Sequence, residues 1–498
     1  MRPGDPTRLE TALTSRDTAA AAAPLPSRRE LFSSLGNGFL GGALAYLLGR
    51  DLLSAPPLLA DSGQPPDLKP RRPHFEPRAK SVIHLFMNGG PSQIDLFDPK
   101  PMLKKYEGQP PGRDLTNDVE QIASIGTLMS SPFEFKKRGQ CGMEISELLP
   151  FLSRKVDDIA LVRSMFTKHF NHEPAIFLMQ SGRTIVGRPS LGSWVVYGLG
   201  SENQNLPAYV VLDDPKMLPV NGTQNWQAGW LPPIYQGTRL KSKGSPLLNL
   251  QPKEEFPGPV LNMARSILTR LDRSHLHRHP GEPELQARIT NYELAARMQI
   301  AASDALDLSQ ESPATHEMYG LNDEATESYG RRCLMARRLV ERGVRMVQLY
   351  IEEQIWDQHQ NLTGGLRYAC GKTDKPVHAL LTDLKQRGLW DSTLVVWGGE
   401  FGRLPLSQHP DKAAGRDHGP PGFSVWLAGA GIKGGTVYGG TDELGHRAVD
   451  NPVSVHDLHA TILHLLGMNH RDLVYRREGR NERLTDEFPA RVVEGILT

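Results

Sequence analysis

The chain has 498 residues, enough to bury a large core and to form two or three domains, or one large α/β domain with insertions. Lys and Arg number 57 and Asp and Glu 56, so the formal net charge is +1 and no basic excess is available to neutralise nucleic acid or an anionic membrane. The three cysteines, Cys141, Cys333 and Cys370, have no metal-ligand spacing and cannot form a disulfide framework. Any metal must therefore be bound by oxygen and imidazole.

Residues 1–60 have the features of an export signal. Arg28 and Arg29 precede the uncharged stretch 31–49, LFSSLGNGFLGGALAYLLG. A paired arginine before a glycine-rich, weakly apolar stretch is typical of a twin-arginine signal, so we expect the twin-arginine translocase as a partner and a periplasmic or extracellular location. The alternative is an uncleaved membrane anchor, because 19 uncharged residues approach the length that spans a bilayer. Residues 61–79 are expected to form a Pro/Arg-rich linker.

The part of the chain that follows is predicted to contain three short strands, one helix and a long loop. Apolar runs predict strands over Ser81–Asn88, Ile159–Ser164 and Ala208–Leu212, whereas the composition of Ile145–Lys155 suggests a helix. Asn221–Ser245 is rich in Gly, Pro, Trp and Gln without periodicity, which predicts a long loop or lid.

Helices and strands alternate in the second half of the chain. The patterns predict helices over Glu284–Ala302, Ser328–Arg342, Gly365–Arg387 and Val455–Leu466, and strands over Val344–Ile351, Thr393–Trp397 and Ser424–Ala428. This alternation implies an α/β fold with a mostly parallel sheet that is covered on both faces. Because ligands bind beyond the carboxyl ends of the strands in such sheets, the residues that follow each strand are the first candidates for a site.

Residues with metal-ligand side chains follow several predicted strands or lie in nearby loops. They are Asn88, His169, His172, Glu173, Glu352, Glu353, Asp357, His359, Glu400, Asp417 and His418. Carboxylate, carboxamide and imidazole groups from separate loops at one sheet edge are what a divalent-metal site needs, and this set is large enough for one ion or two. Any one of these histidines alone would more often be a surface or capping residue. Glu352 and Glu353 are expected to be solvated, and His84, within the first strand, to be packed in the core.

Several longer stretches resemble one family of exported bacterial proteins. They are NGGPSQIDLFDPKP at 88–101, NHEPA at 171–175, GRPSLGSWVVYGLGSEN at 187–203, GEFGRLP at 399–405 and GRDHGP at 415–420, together with the twin-arginine start, the Asp357/His359 pair and the last helix. The family is a sulfatase-like domain of unknown function in the alkaline-phosphatase-like superfamily. The resemblance implies a sulfatase-like α/β domain over residues 80–498, with a mostly parallel central sheet flanked by helices on both faces and a loop or lid insertion around 215–330.

The resemblance to sulfatases includes departures at the site. Asn88 and Glu400 stand where sulfatases have metal-binding Asp residues. The sulfatase nucleophile, a Cys or Ser, falls on His172, whereas Pro174 and the Gly182-Arg183 pair match the family pattern. Because an imidazole cannot become the formylglycine that sulfatases use, the resemblance leaves the nucleophile open.

The resemblance implies hydrolysis of a sulfate or phosphate ester, carried by a small molecule or a glycan, with one or two divalent ions (Zn, Mn or Ca) polarising the ester oxygens. The implied metal ligands are Asn88, Asp357, His359, Glu400, Asp417 and His418. His172 is expected to be a further ligand or the nucleophile, and the other candidate nucleophiles are a water and the hydroxyls of Ser164, Thr167 and Ser181. Arg183 is the leading candidate to clamp the anionic group, with Arg188, Arg403 and Arg416 as further candidates.

A second class of function also fits the sequence: a non-catalytic exported protein that keeps the fold and binds a glycan or an envelope partner. The absence of a Cys or Ser nucleophile and of the first Asp favours it, and fold alone does not decide function. The two differ in geometry, because a hydrolase should bring its ligands together around an open pocket. A binding protein should instead have a filled pocket or ligands that lie apart.

Overall fold

The computed structural model of the protein describes residues 67–119, 124–243, 258–279, 282–409 and 413–498. Within these ranges the helices are α1 (Gln93–Leu96), α2 (Pro101–Lys105), α3 (Arg113–Thr116), α4 (His172–Ser181), α5 (Leu191–Leu199), α6 (Gly258–Arg278), α7 (Pro283–Leu306), α8 (Pro313–Met318), α9 (Glu324–Glu341), α10 (Leu362–Gln386) and α11 (Val455–Leu465). The strands are β1 (Ser81–Phe86), β2 (Ile125–Leu128), β3 (Phe135–Arg138), β4 (Met143–Ser146), β5 (Ile159–Phe166), β6 (Tyr209–Leu212), β7 (Thr238–Arg239), β8 (Met346–Tyr350), β9 (Thr393–Gly398), β10 (Gly402–Arg403), β11 (Leu406–Gln408), β12 (His418–Gly419), β13 (Phe423–Gly429), β14 (Thr436–Tyr438), β15 (Gly440–Thr441), β16 (Ala448–Asp450), β17 (Val453–Ser454), β18 (Tyr475–Arg477) and β19 (Arg480–Glu482). The predicted signal, residues 1–60, lies outside the described residues.

The largest sheet of the described residues has nine strands, in the order β14-β5-β13-β9-β1-β8-β6-β7, with β17 also paired to β5. Its strand pairs are parallel except those of β13, which runs antiparallel to both β5 and β9. Every residue of β1, β8, β9 and β13 is buried, so both faces of the sheet are covered in its centre. The predicted α/β class with a mostly parallel central sheet is therefore confirmed.

Helices α9 and α10 pack against each other, and α9 also packs on β8 and β1. The side chain of Asp323 accepts a hydrogen bond from the backbone N–H of Ala325 and so caps the start of α9. Residues 332–340 of α9 are all buried, and the apolar ones, among them Cys333, Ala336 and Leu339, belong to the hydrophobic core. Among the helices of the described residues, none combines the length and apolar composition that a membrane span requires.

The predicted helix over Ile145–Lys155 is wrong. Its first residues form the end of β4, which pairs with β3 in a hairpin, and the remainder contains only one short 3-10 turn, Leu152–Arg154. The physical reason is Pro150, which has no backbone N–H to donate and disfavours the helical conformation of the residue before it.

The predicted long loop or lid over Asn221–Ser245 is described as far as residue 243, and this part is irregular chain with the short 3-10 turns Gly222–Trp226 and Pro233–Tyr235. Thr238–Arg239 forms β7 and adds a parallel strand to the edge of the central sheet. Trp226, Trp230 and Tyr235 are buried, and the stability gained by burying their large aromatic surfaces explains why the segment packs against the core. The lack of hydrophobic periodicity in this segment therefore reflects an irregular backbone that is nevertheless packed against the core.

The described end of the predicted linker, residues 67–78, lies against the body of the protein. Backbone N–H groups of Arg71 and His74 donate to the carbonyls of Leu199 and Gly467, both at 2.9 Å. The guanidinium of Arg71 reaches the carbonyl of Tyr197 and the hydroxyl of Tyr235. This segment is therefore held by main-chain and side-chain hydrogen bonds.

Candidate metal centre

Three adjacent strands of the central sheet bring the predicted ligands to one edge. β9, β1 and β8 are neighbours and run parallel, so their carboxyl ends lie together. Asn88 follows β1, Asp357 and His359 follow β8, and Glu400 follows β9. The sequence pattern therefore placed these residues at the correct edge of the sheet.

The loop after β1 makes a close approach that only glycine permits. Gly89 has φ +111°, and a Cβ at this position would lie 2.8 Å from the backbone nitrogen of Asp357. The backbone N–H of Gly89 also donates to Glu400 Oε1 at 2.8 Å. The Asn-Gly-Gly turn therefore lets the loops after β1, β8 and β9 touch one another.

His172 reaches the same edge from helix α4, of which it is the first residue. The side chain of Asn171 caps this helix by accepting a hydrogen bond from the backbone N–H of Glu173. His418 arrives on β12, which pairs with β10 beside Arg403. Helix α4 was not predicted, although Asn followed by His-Glu-Pro is a usable start signal for a helix.

Four side chains converge at this edge: His172, Asp357, His359 and His418 each present one donor atom, and the four atoms lie within 4.8 Å of one another. His359 Nε2 is 2.9 Å from Asp357 Oδ1 and 3.0 Å from His418 Nε2. His418 Nε2 is 3.3 Å from Asp357 Oδ1, and His172 Nε2 is 3.4 Å from Asp357 Oδ2. We call these four residues the donor group.

The tautomers of two imidazoles follow from their outer contacts. His172 Nδ1 donates to the carboxylate oxygen Oε1 of Glu400 at 2.6 Å, and His359 Nδ1 donates to Gln408 Oε1 in a short hydrogen bond. Because both partners are acceptors, the Nδ1 atom of each ring carries a proton. The neutral imidazole then has its lone pair on Nε2, which points into the donor group.

The donor group fits a divalent ion in both spacing and chemistry. Ligand atoms of a tetrahedral zinc site with bonds of about 2.0–2.1 Å lie about 3.3 Å apart. Four contacts among these side chains measure 2.9–3.4 Å, and all four donor atoms lie within 4.8 Å of one another. The exposed fractions of the side chains rise from 6% for His418 and 11% for His172 to 17% for Asp357 and 26% for His359. The group is therefore open to solvent on the side of His359.

Arg403 is the closest cation to this group. Its Nη2 lies 2.6 Å from Asp357 Oδ1, and its side chain, only 1% exposed, also donates to the carbonyls of Gly90 and Arg416. Burial alone would raise the pKa of Asp357, but the charge of Arg403 and hydrogen bonds from the three histidines lower this pKa well below its usual range. Asp357 is therefore a carboxylate at every working pH.

The three imidazoles have different proton affinities. Burial by itself would lower the pKa of His172, but hydrogen bonds with Asp357 and Glu400 raise it to about 9. Burial would also lower the pKa of His359, but the hydrogen bond to Asp357 together with the charge of that carboxylate raises it. The pKa of His418 is lowered to about 3, chiefly by burial, because the hydrogen bond to Asp357 offsets only part of that effect and the charge of Arg403 adds to the lowering. The metal-free donor group therefore holds protons more tightly on His172 and His359 than on His418.

Three predicted ligands lie outside the donor group. Glu400 lies behind His172 and contacts its Nδ1 atom. Asp417 accepts from the backbone N–H of His418 at 2.9 Å, and its Oδ1 atom is 3.9 Å from His359 Nδ1. Asn88 Oδ1 accepts from the backbone N–H of Ile351 at 3.2 Å. These residues surround the group without adding a donor atom to it.

The structure does not bring Arg183 to the donor group. Arg183 follows the far end of α4, whose ten residues begin with His172, so the length of the helix places Arg183 about 15 Å from His172. Its guanidinium donates to Asp486 at 2.7 Å and lies over the ring of Phe488. The other candidate anion clamps are paired as well, Arg188 with Glu482, Arg403 with Asp357 and Arg416 with Asp95.

The candidate hydroxyl nucleophiles differ in their contacts. Ser164 donates to the carbonyl of Asn451 at 2.7 Å, and Ser181 donates to the carbonyl of Phe177 at 2.8 Å. The buried Thr167 hydroxyl has no hydrogen-bond partner among the described residues, and its backbone N–H donates to the carbonyl of Pro420, two residues after His418. Thr167 is therefore the least engaged of the three hydroxyls.

Two further expectations have opposite outcomes. His84 is buried in the core, as predicted. Glu352 is buried too, contrary to the prediction, because Lys216 and Lys372 pair with its carboxylate at 3.0 and 3.3 Å. Gln408, which fixes the tautomer of His359, was not predicted, since a glutamine in a short strand gives no signal of a contact 49 residues away.

The fold and the donor group define a mostly parallel α/β protein with a candidate metal centre at the carboxyl edge of its sheet. The chain belongs to the family described as "Protein of unknown function (DUF1501)", which matches residues 79–497. No curated protein matches the chain.

Similar solved structures share about a tenth of their residues with this chain. The lipoteichoic acid synthase LtaP from Listeria monocytogenes is 10% identical over 84% of this chain and 79% of its own, with a TM-score of 0.36. The PsFucS1 sulfatase from Pseudoalteromonas sp. is 10% identical over 89% and 76%, with a TM-score of 0.35. The alkaline phosphatase from the Antarctic bacterium TAB5 is 10% identical over 79% and 99%, with a TM-score of 0.33. Similarities at these TM-scores do not identify a substrate.

Proposed function

We propose that the protein is an exported, metal-dependent hydrolase of sulfate or phosphate esters. The observation that carries this proposal is the convergence of four donor atoms, from His172, Asp357, His359 and His418, at a partly open edge of the sheet. The sulfatase-like motifs around these residues support sulfate or phosphate esters of small molecules or glycans as the substrate class. The twin-arginine motif at Arg28-Arg29 supports export to the periplasm or beyond, and replacing both residues with lysine should leave the protein in the cytoplasm.

The donor chemistry favours Zn or Mn over Ca as the ion. Three imidazole nitrogens and one carboxylate oxygen suit transition-metal ions, whereas Ca²⁺ prefers six to eight oxygen ligands. A divalent ion held there would supply Lewis acidity towards an anionic ester oxygen. The residues that hold it would be the four members of the donor group.

The surrounding side chains hold the donor group in the protonation states and orientations that metal binding requires. Arg403 keeps Asp357 ionised, and Glu400 and Gln408 keep the Nδ1 protons of His172 and His359 in place. The buried ring of Phe401 packs at 4.9 Å from the His172 ring and at 4.6 Å from that of His418. These contacts fix the imidazole planes and exclude water from the inner side of the group.

We assign the attack on the ester to a water molecule or to the hydroxyl of Thr167. His172 is not free to act as a nucleophile, because its Nδ1 is bound to Glu400 and its Nε2 belongs to the donor group. Ser164 and Ser181 are engaged with backbone carbonyls. Replacing Thr167 with valine, which exchanges the hydroxyl for a methyl group, distinguishes the two candidates.

The experiment that tests the function is an ester-hydrolysis assay on the protein loaded with Zn or Mn. p-Nitrophenyl phosphate and p-nitrophenyl sulfate serve as probes, with and without a chelator. We expect metal-dependent turnover that falls at least about 100-fold in Asp357→Asn, because a metal ligand is lost. Asp118→Asn is the matched control, since Asp118 pairs with His446 and Arg447 away from the group. Metal binding without hydrolysis of either ester would instead identify a non-catalytic binding protein.

A further inference from the structure

We infer that the centre holds a single metal ion and that Glu400 is a positioning residue that aims His172 at this ion, without being a ligand itself. The inference rests on the metal centre of the proposed hydrolase and does not depend on turnover. It corrects the role that the sequence suggested for Glu400, and it decides between one ion and two.

The contacts of Glu400 place it one side chain away from the ion. Its carboxylate is fully buried, and Oε1 accepts from both the backbone N–H of Gly89 at 2.8 Å and His172 Nδ1 at 2.6 Å. The opposite nitrogen of the same imidazole, Nε2, faces Asp357 at 3.4 Å. The His172 ring therefore lies between Glu400 and the other three members of the donor group. This is the arrangement by which a carboxylate orients a metal-ligating histidine.

The atoms left around Glu400 do not make a second cation site. Glu400 Oε2 is buried and has no hydrogen-bond partner among the described residues, which leaves one free carboxylate oxygen. Asn88 Oδ1 is already used by the backbone N–H of Ile351, and the unpartnered atom of that side chain is Nδ2, a donor that cannot ligate a cation. The next residue along the chain, Phe401, is apolar. The other free carboxylate oxygen among the predicted ligands outside the donor group is Asp417 Oδ2, and two oxygens are too few for a second ion, which would need at least three protein ligands.

The four donor atoms are, by contrast, sufficient for one ion. A zinc ion in a protein takes four ligands, and three suffice when one position stays open. The donor group supplies three nitrogens and one oxygen, and these four atoms lie within 4.8 Å of one another. Without its partner on Nδ1, the ring of His172 would be free to turn about its side-chain torsions and to present either nitrogen.

The test is the metal content of the full chain titrated with Zn²⁺ and measured by inductively coupled plasma mass spectrometry after removal of free ion. We expect one equivalent in the wild type and one in Glu400→Ala, with an affinity about 10–100-fold lower in the variant. Glu400→Gln, which keeps an oxygen acceptor, should restore part of that affinity. Two equivalents in the wild type, falling to one in Glu400→Ala, would overturn the inference.

Glu352→Gln is the matched control, because Glu352 is also a buried glutamate beyond a central strand but pairs with two lysines. Its zinc affinity should equal that of the wild type. A second measurement needs no variant: nitrogen-15 spectra of the zinc-loaded protein should show a His172 ring protonated on Nδ1 and bound through Nε2, and the reverse assignment would contradict the positioning role. One equivalent of zinc without ester hydrolysis would refute the proposed function and leave this inference intact.

Discussion

The carboxylate of Asp357 contacts three imidazoles and one guanidinium, so the candidate centre depends on this residue more than on any other described one. Arg403 and Asp357 form a largely buried pair, and the other donors of Arg403 are bound to backbone carbonyls of the surrounding loops. A buried pair of this kind contributes little over apolar packing, but the loss of one partner leaves an unpaired buried charge. Arg403 thus supports both the ionisation of Asp357 and the loops that carry it.

Replacing Arg403 with glutamine should lower the free energy of unfolding of the metal-free protein by about 1.5–3 kcal/mol, because Asp357 would lose a charged hydrogen-bond donor and keep only the imidazoles as partners. Urea denaturation measures this change. Arg447→Gln is the control, because Arg447 is 48% exposed and its pair with Asp118 is screened by solvent, so the expected change is below about 1 kcal/mol. Equal losses in the two variants would argue against a special role for Arg403.

At the scale of elements, the site is assembled by the ends of strands and by one helix start. β9, β1 and β8 deliver loops to one edge, and α4 begins at that edge with His172 as its first residue. The Asn171 cap fixes where α4 begins, because its side chain satisfies the backbone N–H of Glu173. The position of the imidazole therefore depends on the cap.

Asn171→Ala and Asp323→Ala should each destabilise the protein by about 1 kcal/mol, since each removes the N-cap of one helix. Only Asn171→Ala should weaken zinc binding, because α9, which begins after Asp323, supplies no member of the donor group. Urea denaturation and zinc titration of both variants measure the two effects. Unchanged zinc affinity in Asn171→Ala would show that the helix start does not position His172.

Sequence patterns predicted the helices and strands with strong hydrophobic periodicity. They failed for short strands whose formation depends on tertiary contacts. The strands over Thr393–Gly398 and Met346–Tyr350 and the helix over Leu362–Gln386 agree with the predictions within a few residues, because their apolar patterns continue through buried faces. The β3–β4 hairpin and β7 were missed, since short strands depend on their partners for stability. Asn88, Asp357, His359 and Glu400 could be predicted as site residues because they follow strands of the central sheet. The contact of Gln408 with His359 and the positioning role of Glu400 could not, because they depend on contacts between distant loops.

At the scale of the whole molecule, the protein buries neutral histidines away from the candidate centre. His84 lies on β1 with Nδ1 accepting from Gln348, and His459 on α11 donates from Nε2 to the carbonyl of Met179. Burial lowers the pKa of His84 to about 4 and that of His459 to about 3. Both rings are neutral in the folded protein at neutral pH.

The metal-free protein should therefore lose stability as the pH falls from about 6.5 towards 4. Below pH 6.5 the unfolded chain takes up protons on these histidines and the folded protein does not, so each can lower the free energy of unfolding by up to about 1.4 kcal/mol per pH unit. Urea denaturation across this range measures the slope. The double variant His84→Gln/His459→Gln should have a shallower slope, the exposed His277→Gln should not, and equal slopes in all three proteins would contradict the prediction.

The measurement that tests the central claim most directly is the metal content of the protein purified without added metal, compared with that of Asp357→Asn. We predict one equivalent of a divalent transition metal in the wild type and almost none in the variant, because Asp357 lies at the middle of the donor group. A wild type that contains no metal and takes up none from Zn or Mn, or a variant with the same metal content as the wild type, would contradict the existence of the metal centre.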